Sequence, residues 1–343
     1  MKYEYEKVTR DVTASIGIPV FNDRGYLRSL LQTIKWYTCH PNYHVVVVDD
    51  ASPDKELQAA TIKLCEEFDV PLVVHPENKG VAGSWNTLCR EGIKRKADVL
   101  VLLNSDIIVP PLWLTSMIFA LKRNEEAGHV GSVFCEPINV PPHNADKQMA
   151  LMAEQLWHSA YIFVQQNGQA SSAFRDLVHM PTEIFNAQQW GCSKSMAPNG
   201  TGFAFTTKTY NLVGDFDEQM KAFHEESDFG CRCASEGMFS FGLPWPRTYH
   251  GQSRTFTENN AILEPHKLFT SSKKRFIEKW GTDDEHGNYF NLVHNTLMAK
   301  VANPVDVFAL SPVEGAFDDR QDLLHGGTVH TNSLIERQFK VSD

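Results

Sequence analysis

The chain has 343 residues, with 32 Lys plus Arg against 42 Asp plus Glu, so its formal net charge is −10. Hydrophobic residues make up 42 % and charged residues 22 %, enough apolar content for a sizeable core, which excludes a disordered chain. The acidity argues against a polyanionic partner, because phosphate recognition usually needs a basic face.

No apolar run reaches the ~18–20 residues that span a bilayer. The opening segment MKYEYEKVTRD is charged and lacks the apolar stretch of a signal peptide. The expectation is a soluble, cytoplasmic protein. Cys39, Cys65, Cys89, Cys135, Cys192, Cys231 and Cys233 are odd in number, scattered and without a CxxC pair. That pattern does not suit a disulfide framework, and Cys231 and Cys233 read as buried thiols on a helix.

In chain order, β-rich runs occur at Ala14–Val20, His44–Asp49, Pro71–His75, Val99–Leu103 and Val130–Phe134. Helical patterns lie between them at Tyr26–Thr38, Glu56–Phe68, Gly83–Lys94 and Leu112–Asn124. The run Val45-Val46-Val47-Val48 is apolar at every position, as in a strand covered on both faces. The repeated strand–helix alternation predicts a doubly wound, Rossmann-like α/β sheet. In such sheets ligands bind beyond the carboxyl ends of the strands. The helix expected from Gly83 would turn its free N–H groups toward the same crevice.

From Cys135 to about Pro198 the pattern weakens. Lys147–Val164 reads as a helix, and 138–198 as an insertion over the crevice. Clear signals return with a strand at Gly202–Thr207, a helix at Glu225–Glu236, a strand at Phe239–Leu243 and a basic helix at Lys267–Trp280. The expected organisation is a nucleotide-binding half (1–137), the insertion (138–198), an acceptor and catalytic half (199–281) and a C-terminal extension (282–343).

Three acidic clusters could carry chemistry. Asp49-Asp50 ends the most apolar strand, where paired carboxylates need a cation or a hydrogen-bond donor, while Ser52 or Asp54 could cap the next helix. Asp106 follows the apolar run Leu102-Leu103, so it needs a cation there, and oxygen-liganded Mg²⁺ or Mn²⁺ would fit. Glu225, Glu226 and Asp228 crowd one helix start. They suit the helix dipole, but three acids also raise one another's pKa, as a general base requires. His250, after a strand, reads as a structural residue or a ligand. Lys273-Lys274-Arg275 reads as a solvated helix face. Dinucleotide-binding, Walker A, nucleophile-elbow and HExxH motifs are absent from the sequence.

The order of these pieces resembles a family-2 glycosyltransferase of the GT-A fold, among the rhamnosyltransferase-like nucleotide-sugar transferases. The residues carrying it are Ile18-Pro19-Val20-Phe21-Asn22, Val46-Val47-Val48-Asp49-Asp50-Ala51-Ser52-Pro53-Asp54 and Asn78-Lys79-Gly80-Val81-Ala82-Gly83-Ser84-Trp85-Asn86. Leu103-Asn104-Ser105-Asp106 follows, with Asn104 at the first position of the family's D-x-D. Gly214-Asp215-Phe216-Asp217-Glu218, Glu225-Glu226-Ser227-Asp228 with Arg232, and Tyr249-His250-Gly251 complete the series.

The resemblance implies a metal-dependent, inverting transfer of a sugar from a nucleotide-diphosphate sugar, UDP or dTDP being common carriers. It implies a nucleotide pocket lined by Pro19, Phe21, Asp23, Asp49 and Asp50, the base being read by Asp49 or Asp50. Lys79, Gly80 and Asn86 would lie near the ribose and diphosphate, with Asn104, Ser105 and Gly202 also lining the substrate site. Asp106 would hold Mn²⁺ or Mg²⁺, with His250 as a second ligand. Glu226 takes the base position, with Glu225 and Asp228 as alternatives; Asp228 and Arg232 would support the acceptor site or the base. The acceptor could be a glycan, a lipid, a protein or a modified nucleic acid. The other readings are a nucleotidyltransferase and a non-catalytic nucleotide- or carbohydrate-binding subunit. Together Asp49, Asp50, Asp106, Glu225, Glu226 and Asp228 are expected to line one crevice.

Overall fold

The structure is a computed structural model that describes residues 9–38, 40–109, 113–123, 127–132, 135–137, 200–243, 248–251 and 254–284. The expected insertion over 138–198, the helix at Lys147–Val164 and nearly all of the 282–343 extension lie outside the described residues.

The first half alternates as its periodicity requires. Strand β1 (Ala14–Val20) is followed by α1 (Tyr26–Tyr37), β2 (Tyr43–Asp49), α2 (Lys55–Glu67) and β3 (Leu72–Val74). Then come α3 (Gly80–Lys94), β4 (Val99–Leu103), the short β5 (Ile107–Ile108), α4 (Trp113–Arg123), β6 (Ala127–Ser132) and β7 (Cys135–Pro137). The second half holds β8 (Gly202–Thr206), α5 (Thr207–Val213), α6 (Glu225–Ser235), β9 (Phe239–Leu243) and β10 (Thr248–His250). It ends with α7 (Arg254–Glu258), α8 (Asn260–Leu263) and α9 (Pro265–Trp280).

Seven strands form one sheet in the order β3-β2-β1-β4-β8-β6-β9, and β5-β10-β7 form a small second sheet. Strand β8 runs antiparallel to both neighbours; the other pairings of the large sheet are parallel. The sheet is therefore mixed. Alternate side chains on each strand enter opposite layers. Ile16, Ile18, Val47, Val99, Val101 and Leu103 pack with Leu27, Leu30 and Ile34 of α1 and Trp113, Leu114 and Ile118 of α4. Val46, Val48, Leu100, Leu102, Phe203 and Phe205 pack on the other face with Trp85 and Leu88 of α3 and with Phe216 and Phe229. Each such side chain contributes roughly 1.5–3 kcal/mol on burial, so helices on both faces are what the continuous valine run demands.

Local chemistry sets the helix starts. The Asp54 carboxylate accepts from the N–H groups of Glu56 and Leu57 and caps α2. Helix α9 begins with Pro265 at its first position and ends at Gly281 in the left-handed region (φ 73°). Helix α3 starts at Gly80 rather than Gly83. Gly80 has φ +75°, and a Cβ there would lie 2.4 Å from the Lys221 carbonyl oxygen. Only glycine permits that contact between the two halves. The seven-residue α5 and the two-residue β5 escape sequence reading because neither is long enough to show a period.

Candidate active site

A cleft of about 300 Å³ opens at the carboxyl ends of β1, β2 and β4 and is closed from the other side by the start of α6 and by β10 and α7. Ten of the residues expected at the site line it: Pro19, Phe21, Asp50, Gly80, Asn104, Ser105, Asp106, Glu225, Glu226 and His250.

Asp50, at the end of β2, is nearly buried. Its Oδ1 accepts from His75 Nδ1 at 2.8 Å and from the Lys79 N–H at 2.9 Å, and its Oδ2 from the Gly80 N–H at 2.8 Å. The Val81 N–H goes to the Lys221 carbonyl. The first N–H groups of α3 are thus already bonded within the protein. This corrects the expectation that they stay free for a ligand. His75 passes on a further bond through Nε2 to the Thr87 hydroxyl at 2.9 Å. The Asp50 carboxylate is held on three sides, with its remaining lone-pair capacity toward the cleft.

Asp49 turns away from the cleft. It is fully buried, and its Oδ1 accepts from the Ser52 N–H (2.8 Å) and Gln58 Nε2 (3.1 Å). Asp23 caps α1 through the Gly25 and Leu27 N–H groups. Asn86 is fully buried and binds the Phe216 N–H through Oδ1, and the Phe216 carbonyl and Glu218 Oε1 through Nδ2. It clamps the 214–218 turn and lies off the cleft. The Lys79 side chain does not line the cleft, and Gly202 packs against Leu103 and Ile107 within the sheet. Asn22, at φ 48°, ties the strand tips together: its N–H donates to Ser52 Oγ (2.8 Å), its Oδ1 accepts from the Asp54 N–H (3.1 Å), and its Nδ2 reaches Asn259 (2.9 Å).

Asp106 is 4 % exposed and stands opposite His250, with Oδ1 3.1 Å from His250 Nε2. The two groups nevertheless lack hydrogen-bond geometry, and among the described residues Nε2 has no other partner. Two ligands at right angles around a cation with ~2.1 Å bonds sit about 3 Å apart, so the pair has the spacing of adjacent metal ligands. No group of three or more His, Cys, Asp or Glu that could hold a metal exists among the described residues. A cation bridging to a diphosphate commonly takes only one or two protein ligands, so these residues fit such a group. Gly251 makes room for it. Its N–H donates to the Asp106 carbonyl at 2.8 Å, and a Cβ there would come within 3.0 Å of Asp106 Oδ2. The Arg254 N–H also points to Asp106 Oδ2, at 3.4 Å.

Glu225 and Glu226 open α6 on the facing wall. A Cβ on Gly200 would meet the Glu226 carboxylate at 3.2 Å and the Trp85 ring at 3.4 Å, so this glycine leaves the carboxylate its space. The helix is entered through Phe223 (φ 67°) and His224 (φ 69°), two consecutive bulky residues in the left-handed region. Such a conformation costs of order 1–3 kcal/mol per residue and persists where surrounding structure enforces it, often at functional sites.

Asp228 and Arg232 lie behind this wall. Asp228 is fully buried; its Oδ2 accepts from Arg232 Nε at 2.9 Å and its Oδ1 from Trp280 Nε1 at 2.9 Å, with Lys279 Nζ at 2.7 Å. Arg232 also donates to the carbonyls of Val213 and Gly214. The one acidic crevice expected from the sequence therefore contains four carboxylates, Asp50, Asp106, Glu225 and Glu226, not six. Ser84 and Trp85 line the cleft from within the Asn78–Asn86 segment, where sequence reasoning assigned them no separate role, and the cleft residues that it did not name include Gly200, Phe223, Thr255 and Phe256. Of these, Gly200, beside the strand signal, carried a cue.

Cys231 and Cys233 are buried on α6, and burial pushes the Cys233 thiol up. Of the expected basic face, Arg275 bonds Asp217 at 3.0 Å and Lys273 bonds Asp283 at 3.0 Å. No helix among the described residues is long and apolar enough to cross a membrane.

Residues 15–177 match the family model Glycosyl transferase family 2. A dolichol-phosphate mannosyltransferase of Pyrococcus furiosus is 30 % identical over 112 residues, 33 % of this chain and 31 % of the relative. The uncharacterized glycosyltransferase YfnE of Bacillus subtilis is 29 % identical over 99 residues, 28 % of this chain and 23 % of the relative. The match thus spans about a third or less of these relatives' length. Among solved structures, a mannosyltransferase from Pyrobaculum calidifontis in complex with GDP-Man and Mn²⁺ superposes with a TM-score of 0.52 at 14 % identity. That superposition covers 99 % of this chain and 92 % of the other. The mixed sheet, the cleft at its carboxyl edge and these likenesses agree: residues 15–177 are similar to glycosyl transferase family 2, and the fold is that of the GT-A glycosyltransferases.

Proposed function

We propose that the protein is an inverting glycosyltransferase that moves a hexosyl group from a nucleoside diphosphate sugar to an acceptor hydroxyl. The observation that carries the reading is one cleft with Asp106 facing His250 at metal-ligand spacing on one side and the Glu225–Glu226 pair on the other. The family match supports transfer, and the mannosyltransferase relative supports a hexose.

In this reading Asp106 and His250 hold the divalent cation. A mixed carboxylate and imidazole set suits Mn²⁺ better than Mg²⁺, which prefers oxygen alone. When bound, the cation supplies Lewis-acid stabilisation of the charge on the departing diphosphate. Asp50, held by His75 and the start of α3, offers its free lone pair to an N–H or O–H of the nucleoside. Glu226 accepts the proton of the acceptor hydroxyl, whose oxygen bonds the anomeric carbon on the face opposite the diphosphate. The bond to the diphosphate oxygen breaks with its electron pair, and the anomeric centre inverts. The transition state is oxocarbenium-like, as in glycoside hydrolysis. Glu225, one position earlier, keeps the site anionic and is the second candidate base. Asp228 is a positioning residue beneath them.

The test is a panel of GDP-, UDP- and dTDP-hexoses with Mn²⁺ and mixed acceptors, read as nucleoside diphosphate release. Asp106→Ala should abolish release, and NMR of the new linkage should show inverted configuration. Release of pyrophosphate instead would indicate nucleotidyl transfer, and full activity of Asp106→Ala would refute the cation assignment.

A further inference from the structure

Two consecutive residues of α3 leave buried donors unmet at the cleft wall. Ser84 and Trp85 are each 1 % exposed, and both line the cleft. Among the described residues neither Ser84 Oγ nor Trp85 Nε1 has a hydrogen-bond partner. Buried polar atoms in native proteins are almost always paired, so two adjacent orphans at one cleft need an explanation. An indole N–H only donates, and a serine hydroxyl has a proton to donate. Packing requires neither atom. The Trp85 ring rests edge-on against Phe203 and Phe216, with centroids 5.1 Å away in both cases. A phenylalanine would serve that cluster without burying a donor.

Their place along α3 says what they meet. Gly80, whose N–H holds Asp50, begins the helix, and Ser84 lies one turn further on the same face. Trp85 follows, close to the Glu226 carboxylate: a Cβ on Gly200 would lie 3.4 Å from the Trp85 ring and 3.2 Å from that carboxylate. The two donors thus stand between the carboxylate offered to the nucleoside and the one offered to the acceptor hydroxyl. Asp106 and His250, the pair with metal-ligand spacing, stand at β5 and β10 of the small sheet. An in-line displacement needs the anomeric carbon between the departing oxygen and the attacking one. The group that comes to Ser84 and Trp85 is then the transferred ring, whose hydroxyl oxygens accept hydrogen bonds.

We propose that Ser84 Oγ and Trp85 Nε1 donate to hydroxyl oxygens of the transferred hexosyl ring and so set which hexose the site accepts. This rests on the glycosyl-transfer reading above. A site built to bond a hydroxyl rejects the analogue lacking it, because its own buried donor is then left unmet.

The experiment uses GDP-, UDP- and dTDP-hexoses with Mn²⁺, their monodeoxy forms, and free GDP, UDP and dTDP as inhibitors. Ser84→Ala and Trp85→Phe each remove one donor and keep the packing. Each should lower kcat/KM for the hexose donor about tenfold, as one lost hydrogen bond does, while the inhibition constant of the free nucleoside diphosphate moves less than about twofold. The wild type should lose a similar factor with a donor lacking the hydroxyl that Ser84 reads, and Ser84→Ala should lose nothing further with it. The Tm of the ligand-free protein should stay or rise in both variants; a lowered Tm with equal losses for donor and nucleoside diphosphate would mark a structural role and overturn the proposal. Equal losses at unchanged Tm would put the contact on the diphosphate and overturn the sugar assignment while leaving glycosyl transfer standing. Unchanged donor kinetics in either variant would overturn that residue's assignment, its donor meeting only water. Release of no nucleoside diphosphate by the wild type from any donor would defeat the transfer reading itself.

Discussion

Asp228→Asn separates two roles that one acidic helix start could give this residue. The native carboxylate is fully buried and is the common acceptor for Arg232, Lys279 and Trp280. Removing one partner of a buried ion pair costs about 3–5 kcal/mol. Asn keeps the shape and one acceptor oxygen. The Arg232 and Lys279 side chains are 16 % and 28 % exposed, so water screens part of the freed charge. The expected loss therefore falls to or just below the lower end of that range, about 2–3 kcal/mol, or a fall in Tm of about 3–4 °C for a chain of this length. Arg232 also holds the Val213 and Gly214 carbonyls, so the turn before α6 loosens with it. The kcat should drop less than about tenfold, through positioning rather than lost proton transfer. The assays are thermal and urea unfolding beside steady-state turnover. An unchanged Tm with a thousandfold loss of kcat would refute this reasoning and make Asp228 the base.

Removing a general base typically costs about 10²–10⁴ in rate, so Glu226→Gln should lose that much kcat with the donor KM retained, and Glu225→Gln less; the reverse order would exchange their roles. Gly251→Ala pushes a methyl group against Asp106 Oδ2, and a Mn²⁺ titration of turnover should show half-saturation at least about tenfold higher; an unchanged titration would contradict the placement of the cation. His129 is fully buried between Phe203 and Phe229, and burial lowers its pKa to about 3. The native imidazole stays neutral while the unfolded one protonates below about 6.5, so the unfolded state binds more protons between pH 6.5 and 3. Stability must fall as the pH drops through that window, by at most about 1.4 kcal/mol per unit from this residue. Urea midpoints from pH 7.5 to 4.5 should therefore slope less in His129→Gln than in the wild type, and equal slopes would remove His129 as the cause.

Much of the architecture was legible before any coordinates. The valine run of β2 and the helical periods around it require a sheet buried on both faces, because apolar side chains alternating along a strand must each find a layer. The same pattern places the strand tips at one edge, and it marks Asp106 as a carboxylate that needs a cation. What the pattern cannot contain is direction within a tip. Asp49 and Asp50 are adjacent and chemically identical, yet a period of two turns one into the sheet and the other onto the cleft. Asn86 and Asp228 look like site residues, but long-range partners, 130 and 52 positions away, make them buried clamps. Phe223 and Phe256 meet across 33 positions because a strained left-handed turn aims one at the other. Local sequence determines periodicity, caps and charge; only the closed chain decides which groups share a dielectric boundary, and so which carboxylates remain available for chemistry.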